Sequence, residues 1–275
     1  EKGTFQVFAD STSAGVFRWM ELRADLPAAL QRHQLALHYQ PVVDMISGEV
    51  VGAEALLRWE HPHLGRVAPW EALSVAEEAG VMVELGRWTV DRASRDLELL
   101  RRHLPDLWMS INFSANQIDQ SLPAVVENAL VAAALPPQAL VLEITEATAT
   151  QISEGVLEAV AELGVSIALD DFGTGYSSFA RLDRLPIDVL KIDRSFLART
   201  PALAPSPLFR AIVELGNSLG LQLVAEGVET EEHRRMALDA GCQVAQGWLY
   251  SAALPVEELI AYLGQVPSGE LAAAH

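Results

Sequence analysis

From Leu35 onward, short apolar runs alternate with amphipathic stretches, the pattern of strands interleaved with helices. The runs predict strands at Leu37–Val43, Val50–Leu57, Trp108–Phe113, Leu140–Ile144, Ser166–Leu169, Val189–Ile192, Leu221–Ala225 and Gln243–Ala245. Between the second and third, Leu85, Trp88, Ala93, Leu97, Leu100 and Leu104 recur at near-helical spacing until Pro105 ends the run. A further helix is expected from Ser153, a suitable N-cap, to Leu163, with Gly164 as its stop. Only Asp44-Met45-Ile46-Ser47-Gly48-Glu49 separates the first two strands, too short for a parallel crossover, so they should form an antiparallel hairpin. The later connections hold helices, which implies parallel strands covered on both faces. The expected fold is therefore α/β, a TIM-like (β/α)8 barrel with an antiparallel first strand. Residues 1–27 show little regular patterning and read as a linker or N-terminal extension, residues 28–265 as the folded domain and 266–275 as a tail. The proline-rich stretch 200–207 reads as a loop inside the domain.

Composition narrows the class. A length of 275 residues suits one barrel of about 250 residues. Half the residues are hydrophobic and a fifth charged, which sets disorder aside. No run reaches the roughly 18 uncharged apolar residues of a membrane span, since Gly155 to Leu169 carries Glu158 and Glu162. Without a basic-then-apolar leader pattern either, the domain is expected to be cytoplasmic, even where a longer protein containing it is membrane-anchored. A formal charge of −18 repels nucleic acid, so no DNA partner is expected. The same excess gives a phosphate-handling protein a need for cations. The lone Cys242 excludes an internal disulfide and a thiolate zinc cage, and reads as a small buried hydrophobe.

The informative feature is where polar residues interrupt or end the strands: Glu54, Asn112, Glu143, Asp170 with Asp171, Lys191, Glu226 and Gln246. In a parallel barrel these positions converge on one rim, the face that carries barrel active sites. Singly, each reads as a solvated side chain or a turn cap. Together, the converging carboxylates would repel strongly in a partly dehydrated pocket unless a divalent cation offset them. An all-oxygen donor set favours magnesium or manganese, with calcium able to enter unproductively. His61-Pro62-His63 reads as a polar turn outside the site. The six tryptophans share no period and read as packing residues, Trp248 being placed near the pocket wall.

At these residues the sequence resembles the EAL family of cyclic di-GMP phosphodiesterases. The resemblance rests on Tyr39-Gln40-Pro41, Glu54-Ala55-Leu56-Leu57-Arg58-Trp59, Ile111-Asn112-Phe113-Ser114, Glu143-Ile144-Thr145-Glu146, the segment Asp170 to Ser178, Lys191-Ile192-Asp193, Glu226-Gly227-Val228-Glu229 and Gln246-Gly247, in order. It implies two metal ions, Mg2+ or Mn2+, one held by Glu54, Asn112, Glu143 and Asp170, the other by Asp170, Asp171 and Glu226. Ca2+ is expected to inhibit. The resemblance further implies that Lys191 orients the attacking water and that Glu226 is a candidate general base. Gln40 and Arg58 would contact substrate, Glu146 and Glu229 brace the active-site loops, and Gln246 support the water network. The implied reaction opens cyclic di-GMP to linear pGpG, the alternative being a sensor that binds without cutting. Implied partners are a second copy of the domain and an upstream GGDEF or sensory domain. The loop Asp171 to Ser178, with two glycines, is expected to change shape between active and idle states. Departures from the family lie at Ala252 and Ala253, where a basic residue and a proline are common, and at His233, where a glutamine is frequent.

Overall fold

The computed structural model describes residues 6–32, 34–152, 154–173, 185–198 and 206–264, the side chains of residues 6–14, 154 and 198 excepted. Nine strands form one sheet: β1 (Leu35–Asp44), β2 (Val50–His61), β3 (Gly65–Val67), β4 (Trp108–Phe113), β5 (Leu140–Thr145), β6 (Ser166–Phe172), β7 (Val189–Ile192), β8 (Gln222–Ala225) and β9 (Val244–Gln246). Their order, β1-β9-β8-β7-β6-β5-β4-β2-β3, closes through a β1–β2 pairing into an eight-stranded barrel. The short β3 lies outside the ring, antiparallel to the end of β2. It went unexpected because three residues are too few to show a period of two. β1 is antiparallel to both neighbours, as the tight first connection requires, and every other pairing within the ring is parallel.

Around the barrel lie α2 (Pro69–Ala79), α3 (Met82–Arg101), α4 (Leu122–Ala132), α5 (Glu146–Gln151), α6 (Glu154–Glu162), α7 (Ser195–Ala198), α8 (Pro207–Ser218), α9 (Glu231–Ala240) and α10 (Val256–Leu263). The strand residues that point outward, such as Ala53, Ala55, Leu140, Leu142, Ile144, Ile167 and Leu169, join Leu97, Leu157, Phe209 and Val213 of the helices in the main core. Cys242 is buried there too. Ser153 and most of the 200–207 loop lie outside the described residues.

Period-two alternation then separates two interior layers. Val42, Val141, Ala168, Val189 and Val224 cluster as an apolar floor, with Val51, Trp108 and Val244 packed against it. The Trp108 ring occupies the space beside Gly52, where an added Cβ would meet it at 2.4 Å. Two residues beyond each floor position comes a polar one: Glu54 after Gly52, Glu143 after Val141, Asp170 after Ala168, Lys191 after Val189, Glu226 after Val224 and Gln246 after Val244. β1 runs the other way, so Gln40 precedes Val42.

Residues 6–31 differ from the expected unpatterned segment: they form α1 (Gln6–Gln31). Leu22, Leu26 and Ala29 of α1 pack with Leu35, Trp59, Val67, Val75, Ala76, Met82 and Leu85 in a second core. Arg18 bonds both carboxylate oxygens of Glu71 at 2.8 and 2.9 Å, a geometry that fixes orientation as well as contact. No described helix is long and apolar enough to cross a membrane.

Candidate active site

Lys191 is the hub of the polar layer. Its ammonium, 2 % exposed, lies 3.1 Å from Glu54 Oε2, 2.8 Å from Glu143 Oε2, 2.7 Å from Glu226 Oε1 and 3.7 Å from Asp170 Oδ1. Glu54 is fixed further: Asn112 Nδ2 donates to its Oε1 at 2.6 Å, and Gln246 Nε2 donates to its Oε2. The register explains these meetings, since Asn112 is paired with Glu143 across β4–β5, and Gln40 with Glu54 across β1–β2. Asp171 ends the constellation in an unusual backbone state. Its φ of 54° is left-handed, uncommon for a non-glycine residue, and its amide donates to Asp170 Oδ1 at 2.9 Å. The carboxylates of Asp170, Asp171 and Glu226 bring ligand atoms within 4.8 Å of one another.

Among the described residues four carboxylates thus share the Lys191 ammonium, with Asp171 close by as a fifth, and the titration behaviour follows. Burial drives Glu54 upward, but Lys191, Gln246 and Asn112 outweigh it and hold the carboxyl below its usual range. Glu143 moves the other way, well upward, through burial and the facing charge of Glu54. Burial also lifts Glu226 to about 7, against the pull of Lys191 and with Asp170 and Glu54 adding to the rise. Asp171 is raised by burial and by Asp170. Burial lowers the Lys191 ammonium, yet Glu143, Glu226, Glu54 and Asp170 together push it well above its ordinary value. Without a cation, the cluster resolves its excess charge by retaining protons.

A cleft of about 440 Å³ opens above these groups, lined by Gln40, Glu54, Asp170, Asp171, Glu226, Glu229, Gln246 and Trp248 among others. Asp193, quoted above within Lys191-Ile192-Asp193 but given no role, and Arg194, which had not been singled out, line it as well, directly after the end of β7. Gln40 is held by a 3.1 Å bond from its Nε2 to the Ser251 carbonyl. Arg58, half-buried, donates to its neighbour's carbonyl, Leu57 O, at 2.8 Å and lines an adjoining cavity. Glu146 opens α5, directly after β5 and behind the Thr145 cap, and lies outside the lining of the cleft. His233 accepts a bond from the Glu229 amide through Nδ1, at 3.3 Å, so it shapes the turn that carries Glu229. In the loop expected to change shape, Asp171 and Phe172 end β6, Gly173 follows it, and residues 174–178 lie outside the described set.

His61 stays out of the site, buried rather than in an open turn. Its Nδ1 accepts from the amides of His63 and Leu64, so its Nε2 carries the proton and donates to Asp25 of α1 at 3.0 Å. The tryptophans divide between packing and surface: Trp59 is in the second core, Trp70 is exposed, and Trp248, 71 % exposed, forms a wall of the cleft.

A closed barrel with a cluster of carboxylates, amides and one lysine at its parallel strand ends has the placement of a barrel active site, and Asp170, Asp171 and Glu226 could hold a metal ion there. The chain belongs to the EAL domain family, whose sequence profile matches residues 23–253. It is 42% identical over 260 residues to the bifunctional diguanylate cyclase/cyclic di-GMP phosphodiesterase MucR of Pseudomonas aeruginosa, and 40% identical over 252 residues to the cyclic di-GMP phosphodiesterase NbdA of the same organism. These alignments cover 92% and 89% of the chain but only 38% and 32% of the two relatives. Among solved structures, the PaMucR phosphodiesterase in complex with c-di-GMP superposes with a TM-score of 0.80 at 43% identity, covering 87% of this chain and 99% of that one. The FimX EAL domain of Pseudomonas aeruginosa bound to c-di-GMP gives 0.75 at 26% identity, covering 84% and 95%.

Proposed function

We propose that this domain hydrolyses cyclic di-GMP to linear pGpG with the help of two divalent ions, magnesium or manganese. The observation that carries the reading is the polar layer itself, in which four carboxylates meet one buried ammonium and a fifth, Asp171, converges with Asp170 and Glu226 within 4.8 Å. Hard cations suit this donor set: the ligand atoms are oxygens, the carboxylates outnumber the cationic groups they meet among the described residues, and the buried Gln246 Oε1 has no hydrogen-bond partner among them. Asp170, Asp171 and Glu226 would hold one ion; Glu54, Asn112, Glu143 and Asp170 would hold the other, with Asn112 using its amide nitrogen on Glu54 and its carbonyl oxygen on the ion. Bound ions would supply Lewis acidity at the phosphoryl oxygens and lower the pKa of an attacking water.

The protein's own groups do the positioning. Lys191 holds Glu54, Glu143 and Glu226 in a fixed arrangement and places a positive charge where negative charge develops at the phosphate. Glu226, held by Lys191 at the edge of the cleft, is placed to accept the proton of the attacking water. Arg58 supplies directional donors to a phosphate oxygen, and Gln40, held by Ser251, orients the bound dinucleotide. Glu229 and Glu146 brace the surrounding loops. The family membership supports the substrate, since MucR and NbdA carry cyclic di-GMP phosphodiesterase in their names. In keeping with those longer relatives, the domain serves as the output module of a cytoplasmic signalling assembly, paired with a second copy and coupled to an upstream GGDEF or sensory domain.

The test is incubation of purified protein with cyclic di-GMP and Mg2+ or Mn2+, with chromatographic separation of products. Appearance of pGpG is expected. Folded, metal-loaded protein that binds the dinucleotide and releases no product would overturn hydrolysis in favour of a sensor.

A further inference from the structure

The cleft is lined by Glu54, Asp170, Asp171, Asp193, Glu226 and Glu229, and against these carboxylates the described lining offers one cationic side chain, Arg194. Arg194 stands just past the end of β7, three residues beyond Lys191. Its stem lies against Gly227, in the turn that carries Glu226 and Glu229: a Cβ added at residue 227 would collide with the Cβ of Arg194 and lie 3.2 Å from its Cδ. The missing side chain of Gly227, whose φ of 61° is left-handed, is thus the slot that seats the arginine at the mouth of the cleft. Asp193, next to it in the chain, is engaged elsewhere, since its Oδ1 accepts from the Ser195 amide at 3.0 Å and opens α7. Among the described residues Arg194 forms no side-chain hydrogen bond and no ion pair, whereas Lys191 is committed to the carboxylates beneath.

The topology gives this cation a definite place relative to Arg58. β7 and β2 stand opposite each other in the ring, separated by β1, β9 and β8 on one side and by β4, β5 and β6 on the other. Arg58 of β2 and Arg194 after β7 therefore flank the mouth from opposite sides, with the carboxylate layer between them. Resting on the substrate reading above, we infer that Arg194 binds the second phosphodiester of the cyclic dinucleotide, the one that is not cut. The ligand carries two such groups in one ring. While one is at the ions, the other keeps a full negative charge, and on the β7–β8 side of the cleft it would meet Asp193, Glu226 and Glu229 uncompensated. A guanidinium answers that charge with two parallel N–H donors, the geometry that suits phosphate oxygens. Because the uncut phosphate has the same charge before and during the reaction, this contact strengthens binding more than turnover. It also favours a ligand with two phosphodiesters over a cyclic mononucleotide, which has only one.

The experiment compares wild-type protein, Arg194→Met and Arg194→Lys by equilibrium binding of cyclic di-GMP in calcium buffer, steady-state hydrolysis in magnesium, and thermal unfolding. Methionine keeps an apolar stem in the Gly227 slot and removes the charge; lysine keeps stem and charge and loses the fork. Arg194 is exposed, so both variants should fold and melt with the wild type. Arg194→Met is expected to weaken binding about 10–100-fold, the loss of a hydrogen bond to a charged group, and to raise KM by a larger factor than it lowers kcat. Arg194→Lys should recover part of the affinity. Unchanged binding would overturn the inference, as would a lysine variant no better than methionine. A lowered melting temperature with matching losses in kcat and KM would make Arg194 a brace for the Glu226 turn and overturn it too. The expected order of affinities without product from any of the three proteins would leave the phosphate contact standing and remove hydrolysis alone. Wild-type protein that binds no cyclic di-GMP would overturn contact and substrate together.

Discussion

Replacing Lys191 with methionine keeps most of the side chain's volume and deletes the charge around which the polar layer is arranged. Glu54, Glu143, Glu226 and Asp170 would remain, three of them having lost a contact of 2.7–3.1 Å. Removing one partner of a buried, hydrogen-bonded charge cluster costs about 3–5 kcal/mol, because the other charges stay buried and uncompensated. For a domain of this size that is a fall in Tm of about 6–20 °C in metal-chelated buffer. The wild-type contribution is fully present at pH 7. The Lys191 pKa is raised in the fold, so its stabilisation is lost only as pH climbs past the ordinary lysine value of about 10.4 and through the raised one. Magnesium or manganese should restore more stability to Lys191→Met than it adds to the wild type, since cations then carry the whole compensation. The assay is thermal unfolding of both proteins at pH 7 in EDTA and in each metal. Equal melting temperatures in EDTA would refute the claim that Lys191 neutralises this cluster. Hydrolysis should be lost in the variant in either case.

Four further outcomes are expected. Glu226→Gln should lower turnover about 10²–10⁴-fold while leaving dinucleotide binding nearly intact, as steady-state and equilibrium measurements together would reveal; equal, modest losses in both would point to positioning alone. In the metal-stripped protein, Glu226 has a folded value of about 7 against an ordinary 4.5, so the fold binds the extra proton and stability should fall as pH rises from about 5 to 7; saturating Mg2+ should flatten that slope in a series of melting curves, because the ions select the ionised carboxylates. Calcium-loaded protein should bind cyclic di-GMP yet release pGpG slowly, with Mn2+ restoring product on a chromatogram. The Cys242 thiol, pushed up to about 12 by burial, should react with a maleimide only at the rate of global unfolding, and rapid labelling of native protein would contradict its place in the core.

The barrel was legible because its strands are apolar runs of ordinary length and its first connection was too short for anything but a hairpin. The candidate site was legible for a related reason: a charged side chain two positions beyond Val141, Ala168, Val189 or Val224 breaks an apolar run where burial would otherwise continue it. What a linear pattern does not carry is which polar groups touch. Nothing in the spacing of Glu54 and Lys191, 137 residues apart, shows that one ammonium serves four carboxylates. Helix α1 escaped notice because its apolar residues lie on more than one face, Leu22 and Leu26 inward and Val16, Phe17 and Met20 exposed, while Pro27 reads as a breaker.

The second core places α1 against the strand that carries part of the chemistry. β2 sends Glu54 and Arg58 toward the barrel interior and its cavities, and the next residue, Trp59, into the cluster built on Leu22, Leu26 and Ala29. His61 continues the alternation toward α1, where its single available proton is spent on Asp25. Side chains packed at interior density shift together when one neighbour moves, so a displacement of α1 is transmitted to Trp59 and, through one peptide, to Arg58. Glu54 is insulated by its three donors, Lys191, Asn112 and Gln246. Arg58, by contrast, donates to its neighbour's carbonyl, Leu57 O, so β2 joins a metal-facing segment tied to three other strands and a substrate-facing one with a local bond.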